Sequence, residues 1–393
     1  FKFKSNLNLD SINLKKISIL KDFFPLINNK IQLKSQNLNI NYENKKLFLS
    51  GQGQIKIDDE FDKINFFVSK KDSNISFDID LNLDKTKLKV DQLNYKKKDG
   101  SITKLKIKGD FNQNRNLILS EIGLDENNNK IEIINLIIGK NNLVSNIDKA
   151  KFNYTDVENK KNNFLIHKKD KNNYEFVGLV FNANTLITKL LKDKKSEKNK
   201  IFENNINLTM AIDEVYIDEL YLVKHLKGKL FIEDNKVSLA NISANFKNNE
   251  NILFTIGSDQ KGNKITTLTS SWTKPLVNRY KFIKGFEEGF LDLRSSKKGG
   301  VSNSLLIIDN FKVKQIPVLA KLLALASLQG IADLLTGEGI RFTDLEMKFS
   351  NQENIMKIEE LYAIGPSISI LVEGYVDKDK LISLRGTLVP AST

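Results

Sequence analysis

Apolar and polar residues alternate with a period of two along most of this chain. Phe1 and Phe3, then Leu7 and Leu9, are separated by Lys and Asn, and Ile31 and Leu33 lead into Leu38, Ile40 and Tyr42. The cleanest run is Ile75, Phe77, Ile79, Leu81 and Leu83, interleaved with Ser76, Asp78, Asp80 and Asn82. Leu105, Ile107 and Phe111 follow, then Ile131 and Ile133, and later Leu208 and Met210, then Leu230 and Ile232. Successive side chains of a strand leave on opposite faces, so each run has one apolar and one wet face. One-sided strands of this kind belong to antiparallel sheets. Polar clusters at Asp125 to Asn129, Glu158 to Asn163, Asp234-Asn235 and Lys247 to Asn251 read as the turns between them, because Asn and Asp tolerate left-handed backbone geometry. The pattern predicts a mainly β chain, a meander of roughly 25 strands of ~5–6 residues each.

Helical spacing is confined to three stretches. Residues 184–192 read as one short helix with an Asn cap, and residues 275–283 as a second. The third spans 317–336, where Leu319, Leu322, Leu323, Leu325, Leu328, Ile331, Leu334 and Leu335 form an oily surface nearly all round, interrupted at Gly330. At 1.5 Å per residue this stretch is ~28 Å at most and carries Lys321 and Asp333, so it is a poor membrane span. It reads as an apolar helical cap on the end of the sheet.

Such a meander poses a problem of covering. With ~4.8 Å between neighbouring strands, ~25 strands make a sheet on the order of 120 Å long. Its apolar side would greatly exceed the roughly few hundred Å² that soluble monomers expose, and three short helices cannot cover it. Either the sheet folds on itself as a sandwich or barrel, or it curls into an elongated hydrophobic groove filled by an apolar ligand. Acyl chains suit the second solution, each buried CH₂ contributing ~0.8 kcal/mol. The pattern leaves both open, although the lack of linkers among 20 Gly and 5 Pro favours one continuous twisted sheet. The groove-lining candidates are Ile75, Phe77, Ile79, Leu81, Leu83, Leu105, Ile107, Phe111, Ile131, Ile133, Leu208, Met210, Leu230 and Ile232.

Composition narrows the choice of function. The net charge of +13 is almost entirely lysine, with arginine confined to Arg115, Arg279, Arg294, Arg341 and Arg385. Nucleic-acid readers rely on the bidentate arginine fork and on aromatic clustering, so that class is set aside. Cysteine is absent, which removes disulfide and thiolate chemistry. The chain opens on Phe1 in mid-strand and is expected to be a piece of a longer protein whose signal or anchor lies outside it. An outer-membrane barrel would show aromatic girdles, and none is visible.

No catalytic constellation emerges, and the chain is not expected to be an enzyme or to hold a cofactor or metal. His167 and His225 stand far apart in Lys-rich stretches with no nucleophile motif beside them, which points to surface or loop roles. Asp125-x-Asn127-x-Asn129 starts like a calcium loop but lacks the following Gly and has Leu136 at position twelve. Gly337-Glu338-Gly339 reads as a helix stop and not as a phosphate cradle.

From Tyr174 to Thr393 the chain resembles the AsmA-like proteins of bacterial envelopes, in particular the C-terminal region of the YhdP-like branch of alphaproteobacterial type. The resemblance is carried by Asp309-Asn310-Phe311, Pro317-Val318-Leu319-Ala320 and the small-residue helix after it, Gly337-Glu338-Gly339-Ile340-Arg341-Phe342, Gly365-Pro366-Ser367, Gly374-Tyr375-Val376-Asp377 and Val389-Pro390. It divides the chain into a repetitive β-groove segment, 1–170, and an AsmA-like region, 171–393. It implies a non-catalytic, bridge-like lipid carrier of the periplasm, anchored in the inner membrane by parts outside this chain. Phospholipids would move along its groove between inner and outer membranes, maintaining outer-membrane lipid homeostasis, with no nucleic-acid partner. The competing expectation is a structural or adhesive envelope β-protein with a dry packed core.

Overall fold

The structure is a computed structural model and describes all residues except 16–23, 28–29, 113–116, 140–141, 193–200, 280–284, 315–338, 354, 378–380 and 391–393. It contains two compact units, Phe1–Asp213 and Glu214–Thr393. The division falls at 213/214, whereas the sequence places its change of character at 170.

The first unit is a meander. Its strands are β1 (Lys2–Lys15), β2 (Lys30–Glu43), β3 (Lys46–Lys56), β4 (Phe61–Lys71), β5 (Asn74–Asn82), β6 (Lys89–Val90), β7 (Tyr95–Lys96), β8 (Thr103–Asn112), β9 (Leu117–Glu126), β10 (Asn129–Ile138), β11 (Val144–Asn146), β12 (Lys149–Thr155), β13 (Lys161–Asp170) and β14 (Asn173–Asn182). Each long strand pairs antiparallel with the next one along the chain. Only two steps skip anything: β5 pairs with β8 across the small β6–β7 hairpin, and β10 pairs with β12 across β11. Helix α1 (Asn184–Lys192) occupies the span expected for the first helix, and β15 (Ile206–Tyr216) carries the chain over the unit boundary. A lone parallel bridge joins Val144 to Phe202.

The second unit repeats the scheme with β16 (Leu222–Glu233), β17 (Lys236–Asn245), β18 (Asn251–Ser258), β19 (Lys264–Ser270), helix α2 (Lys274–Val277), β20 (Phe286–Lys298), β21 (Val301–Val313), β22 (Ile340–Gln352), β23 (Ile355–Ile364), β24 (Ile368–Asp377) and β25 (Ile382–Pro390). Consecutive strands are again antiparallel neighbours. Among the described residues β1 pairs with β2 alone and β25 with β24 alone, so the sheet is open and no barrel forms. No helix among the described residues is long and apolar enough to cross a membrane.

The strands are longer than the sequence reading expects: β1 and β2 have 14 residues each. Lys and Asn on the wet face leave ladder pairing intact, so polar stretches extend strands instead of ending them. The expected turns behave as their chemistry requires, with positive φ at Asn127 (52°), Asn159 (58°), Asp234 (47°), Asn235 (60°) and Asn249 (61°). One helix expectation needs adjustment: helix α2 is a single turn after Thr273, shorter than 275–283. The oily stretch 317–336 lies outside the described residues.

The core of the second unit sits on one face of β20 to β23. Phe286, Phe311 and Phe342 stack with centroid separations of 4.7 and 5.1 Å, and Leu291, Ile308, Leu345 and Ala363 form a cross-strand row beside them. Pro275 and Val277 of α2 are buried, and Val277 belongs to this cluster. The Thr273 hydroxyl donates to Gly289 O at 2.7 Å and ties the turn down. Stacked rings of this size contribute through area and ring–ring contact together.

Two glycines test the packing. A Cβ on Gly178 of β14 would stand 2.6 Å from Asn163 O and 2.7 Å from Phe164 Cα, both backbone atoms that cannot yield. A Cβ on Gly257 of β18 would meet nothing within 4 Å. Gly178→Ala is expected to lower the unfolding free energy by about 1–3 kcal/mol, read as a shift in denaturant midpoint, and Gly257→Ala to leave it unchanged or raised. Equal effects of the two would contradict this register.

Candidate functional site

The candidate site is the apolar face of the first unit. It is built by register: cross-strand pairing lines up one inward side chain from each strand. A first row runs Ile64, Leu81, Leu105, Leu124, Ile131, Phe152 and Phe164 from β4 to β13. A second row, two residues further along each strand, runs Leu38, Gly51, Phe66, Ile79, Ile107, Ile122, Ile133, Ala150, Ile166 and Phe176. A third contains Ile40, Leu49, Val68, Phe77, Gly109, Leu119 and Leu136, and a fourth Ile75, Phe111, Leu117 and Ile138.

Exposure rises from the first row to the fourth. The first row is buried throughout. In the second Leu38, Gly51, Ala150 and Phe176 are buried, and the other residues are half-buried. The third row is half-buried along its length, apart from the buried Gly109, and in the fourth Phe111 is 39% exposed.

The gradient has a local cause. After Leu83 the chain leaves the sheet as residues 84–102, which hold β6, a single 3-10 turn at Asp91–Leu93, and β7. This excursion lies over the first-row end of the apolar face. Tyr95 is buried edge-on to Tyr154 with centroids 5.8 Å apart, and Phe152 stacks on Phe164 at 4.6 Å. Carboxylates fix the excursion in place. Asp62 accepts from the amides of Lys85 (3.1 Å) and Thr86 (2.8 Å), and Asp58 from that of Lys87 (3.0 Å). The Tyr154 hydroxyl donates to Leu93 O at 2.8 Å.

Glu126 is the central anchor and is fully buried. It accepts from the Tyr95 hydroxyl (2.5 Å), the Ser101 hydroxyl (2.6 Å), the Lys98 amide (2.7 Å) and Asn129 Nδ2 (2.9 Å). Burial pushes its carboxyl pKa up, but the donors from Ser101, Tyr95, Asn129 and Lys98 outweigh that and hold it below the usual carboxylate range. The Tyr95 phenol is driven far above its ordinary value, by burial first and then by its bond to Glu126.

The structure brings together most of the residues expected to line a groove. Ile75, Phe77, Ile79, Leu81, Leu105, Ile107, Phe111, Ile131 and Ile133 all lie on this face, and Leu83 is buried where β5 hands over to the excursion. Leu208 and Met210 share one side of β15, half-buried and buried. Leu230, opposite Ala240, and Ile232 share one side of β16 in the second unit. The apolar helical cap (Leu319, Leu322, Leu323, Leu325, Leu328, Ile331, Leu334, Leu335) lies outside the described residues. Leu124, Phe152, Phe164 and Phe176 escaped the sequence reading, although Ala150-x-Phe152-x-Tyr154 alternates as cleanly as the runs that were read. Neither histidine is in a loop. His167 is in β13, 3.2 Å from Glu175 Oε2, and His225 is at a bulge in β16 with φ 52°. No group of His, Asp and Glu among the described residues could hold a metal ion.

The opposite face is wet. Its row Asp78, Lys108 and Glu121 crosses β5, β8 and β9, with Lys108 paired to Asp78 (3.6 Å) and Lys106 to Glu121 (3.3 Å). Exposed pairs of this kind stabilise little. Searches against family models, curated proteins and solved structures find nothing that matches this chain.

Glu126 yields a pH prediction. A carboxyl whose folded-state pKa lies below its unfolded value adds stability above the unfolded value, about 4.3, and loses it as pH falls through the folded value. Glu126→Gln is expected to destabilise the first unit by about 2 kcal/mol at neutral pH. In denaturant titrations at stepped pH, that deficit should shrink below about pH 4. A deficit constant down to acid would show that the charge contributes nothing.

Proposed function

We propose that the chain is a non-catalytic lipid carrier whose apolar sheet face takes up phospholipid acyl chains. The observation that carries this reading is the set of rows on the first unit: apolar positions that follow one another from strand to strand, broken by Gly51 and Gly109, buried throughout in the first row and mostly half-buried in the others. A face of this extent, left half-exposed, is costly in water. Lipid tails relieve that cost without demanding any specific contact, since each buried CH₂ contributes ~0.8 kcal/mol whichever neighbour it meets. A row of Ile, Leu and Phe has the chemistry for a ligand that slides, because it offers no polar group to hold a headgroup at one position.

The likeness of residues 174–393 to AsmA-like proteins of the YhdP-like branch supports the same reading and extends it. On that extension the protein works in the periplasm, is anchored in the inner membrane by parts outside this chain, and passes phospholipid between inner and outer membranes. The excess of lysine on wet faces gives a weak attraction for anionic headgroups at either end. No step of this activity calls for an acid, a base or a cofactor.

Lipid extraction from the purified chain followed by mass spectrometry tests the proposal. Phospholipid is expected to co-purify. It should be lost when Phe77, Ile79 and Ile107 are changed together to Asp, and retained when Lys106 and Lys108, next to them on the wet face, are changed to Asp. A lipid-free chain that is fully stable, or lipid unaffected by the inner-face changes, would leave the structural or adhesive envelope protein as the better reading.

A further inference from the structure

The apolar face of the second unit ends in a cationic corner. Across β19, β20 and β21, register sets a series of rows on that face, each two residues further along the strands. Ser270, Leu291 and Ile308 form one row, with Leu291 and Ile308 in the buried core. Leu268, Leu293 and Leu306 come next and are half-buried. The row after that is hydroxylic: Thr266, Ser295 and Ser304, with Ser304 Oγ donating to Ser295 Oγ at 2.9 Å. The last is Lys264, Lys297 and Ser302. Lys264 and Lys297 are thus like charges directly opposite each other, an arrangement that destabilises a sheet. Lys264 is half-buried and its Nζ donates to Val237 O at 2.8 Å, beside Lys236. Burial first, and then Lys297 and Lys236, hold its ammonium pKa below the usual lysine value, and no carboxylate acts the other way. The carboxylate of Asp259, in the turn before β19, is taken up by the amides of Lys261 and Asn263 and by Asn263 Nδ2.

We propose that this corner seats the headgroup of an anionic phospholipid, with its phosphate between Lys264 and Lys297. The inference rests on the lipid-carrying reading and adds to it a place where a headgroup is held. The order of the rows is the order of groups in a phospholipid. Acyl carbons meet the leucines, ester oxygens accept from the Thr266 and Ser295 hydroxyls, and the phosphate accepts from the two ammonium groups. Along β20, Leu291 and Lys297 are ~20 Å apart at ~3.4 Å per residue, which matches an extended acyl chain with its ester. An anion at this position offsets the repulsion between the two lysines, and no carboxylate of the chain does so. A choline headgroup brings a cation of its own to the same corner, so a headgroup of net negative charge is preferred. The four apolar rows of the first unit contain no cation and do not distinguish one headgroup from another.

Isothermal titration calorimetry of the delipidated whole chain with dihexanoyl phosphatidylglycerol, below its micellar concentration, tests the proposal. Dihexanoyl phosphatidylcholine and glycerol phosphate are the comparisons. Phosphatidylglycerol is expected to bind saturably and about tenfold more tightly than phosphatidylcholine, and glycerol phosphate, which has no tails, more weakly than phosphatidylglycerol. Lys264→Gln together with Lys297→Gln should abolish the preference between the two lipids. These changes remove a repulsion, so a loss of preference is not a loss of fold. Lys106→Gln together with Lys108→Gln, on the wet face of the first unit, should leave the preference intact. Equal affinity for the two lipids, a preference that survives the change of Lys264 and Lys297, or one lost on changing Lys106 and Lys108 would overturn the headgroup site and leave the lipid-carrying face standing. Binding of neither lipid would overturn both. Glycerol phosphate binding as tightly as phosphatidylglycerol would make this a site for free phosphate and overturn the assignment to a lipid.

Discussion

The structure depends on one constraint: a strand must send alternate side chains to opposite faces, and an antiparallel meander keeps those faces in register from strand to strand. Once Ile79 is on one face, pairing places Ile107, Ile122 and Ile133 beside it, and Asp80, Lys106 and Glu132 on the other. Among the described residues the meander adds no second layer over most of this surface. The chain therefore accumulates an apolar face strand by strand, and how that face is covered becomes the main energetic question.

The protein covers it in two ways. In the second unit a stack of phenylalanines closes over Val277 of α2, and the described cluster there is dry and tight. In the first unit residues 84–102 shield one end of the face. They are held by buried carboxylates instead of a large apolar surface of their own. Glu126 satisfies four donors at once, so the charge it buries is solvated by the excursion it anchors. Beyond that end the rows are half-exposed, which is what an interchangeable apolar ligand requires.

Much of this was legible in the residues. The Ile75 to Leu83 run announces its strand, its face and its partners' spacing, and the Asn and Asp clusters announce turns that adopt positive φ. The excursion at 84–102 was not legible, because its Lys-rich stretch resembles every other polar connection until Tyr95 and Glu126 meet across the fold. The first-row aromatics were missed for a different reason: Phe152 and Phe164 acquire their importance from stacking, which alternation along one strand does not reveal.

The central claim is that the apolar face of the first unit is open to lipid while the wet face is not. The chain has no cysteine, so single cysteines at Ile107 and at its neighbour Lys106 can each carry an environment-sensitive fluorophore. On mixing the delipidated protein with phospholipid vesicles, the probe at 107 should report transfer to an apolar surrounding, and the probe at 106 should stay unchanged. Identical responses at both positions, or none at 107, would contradict the account.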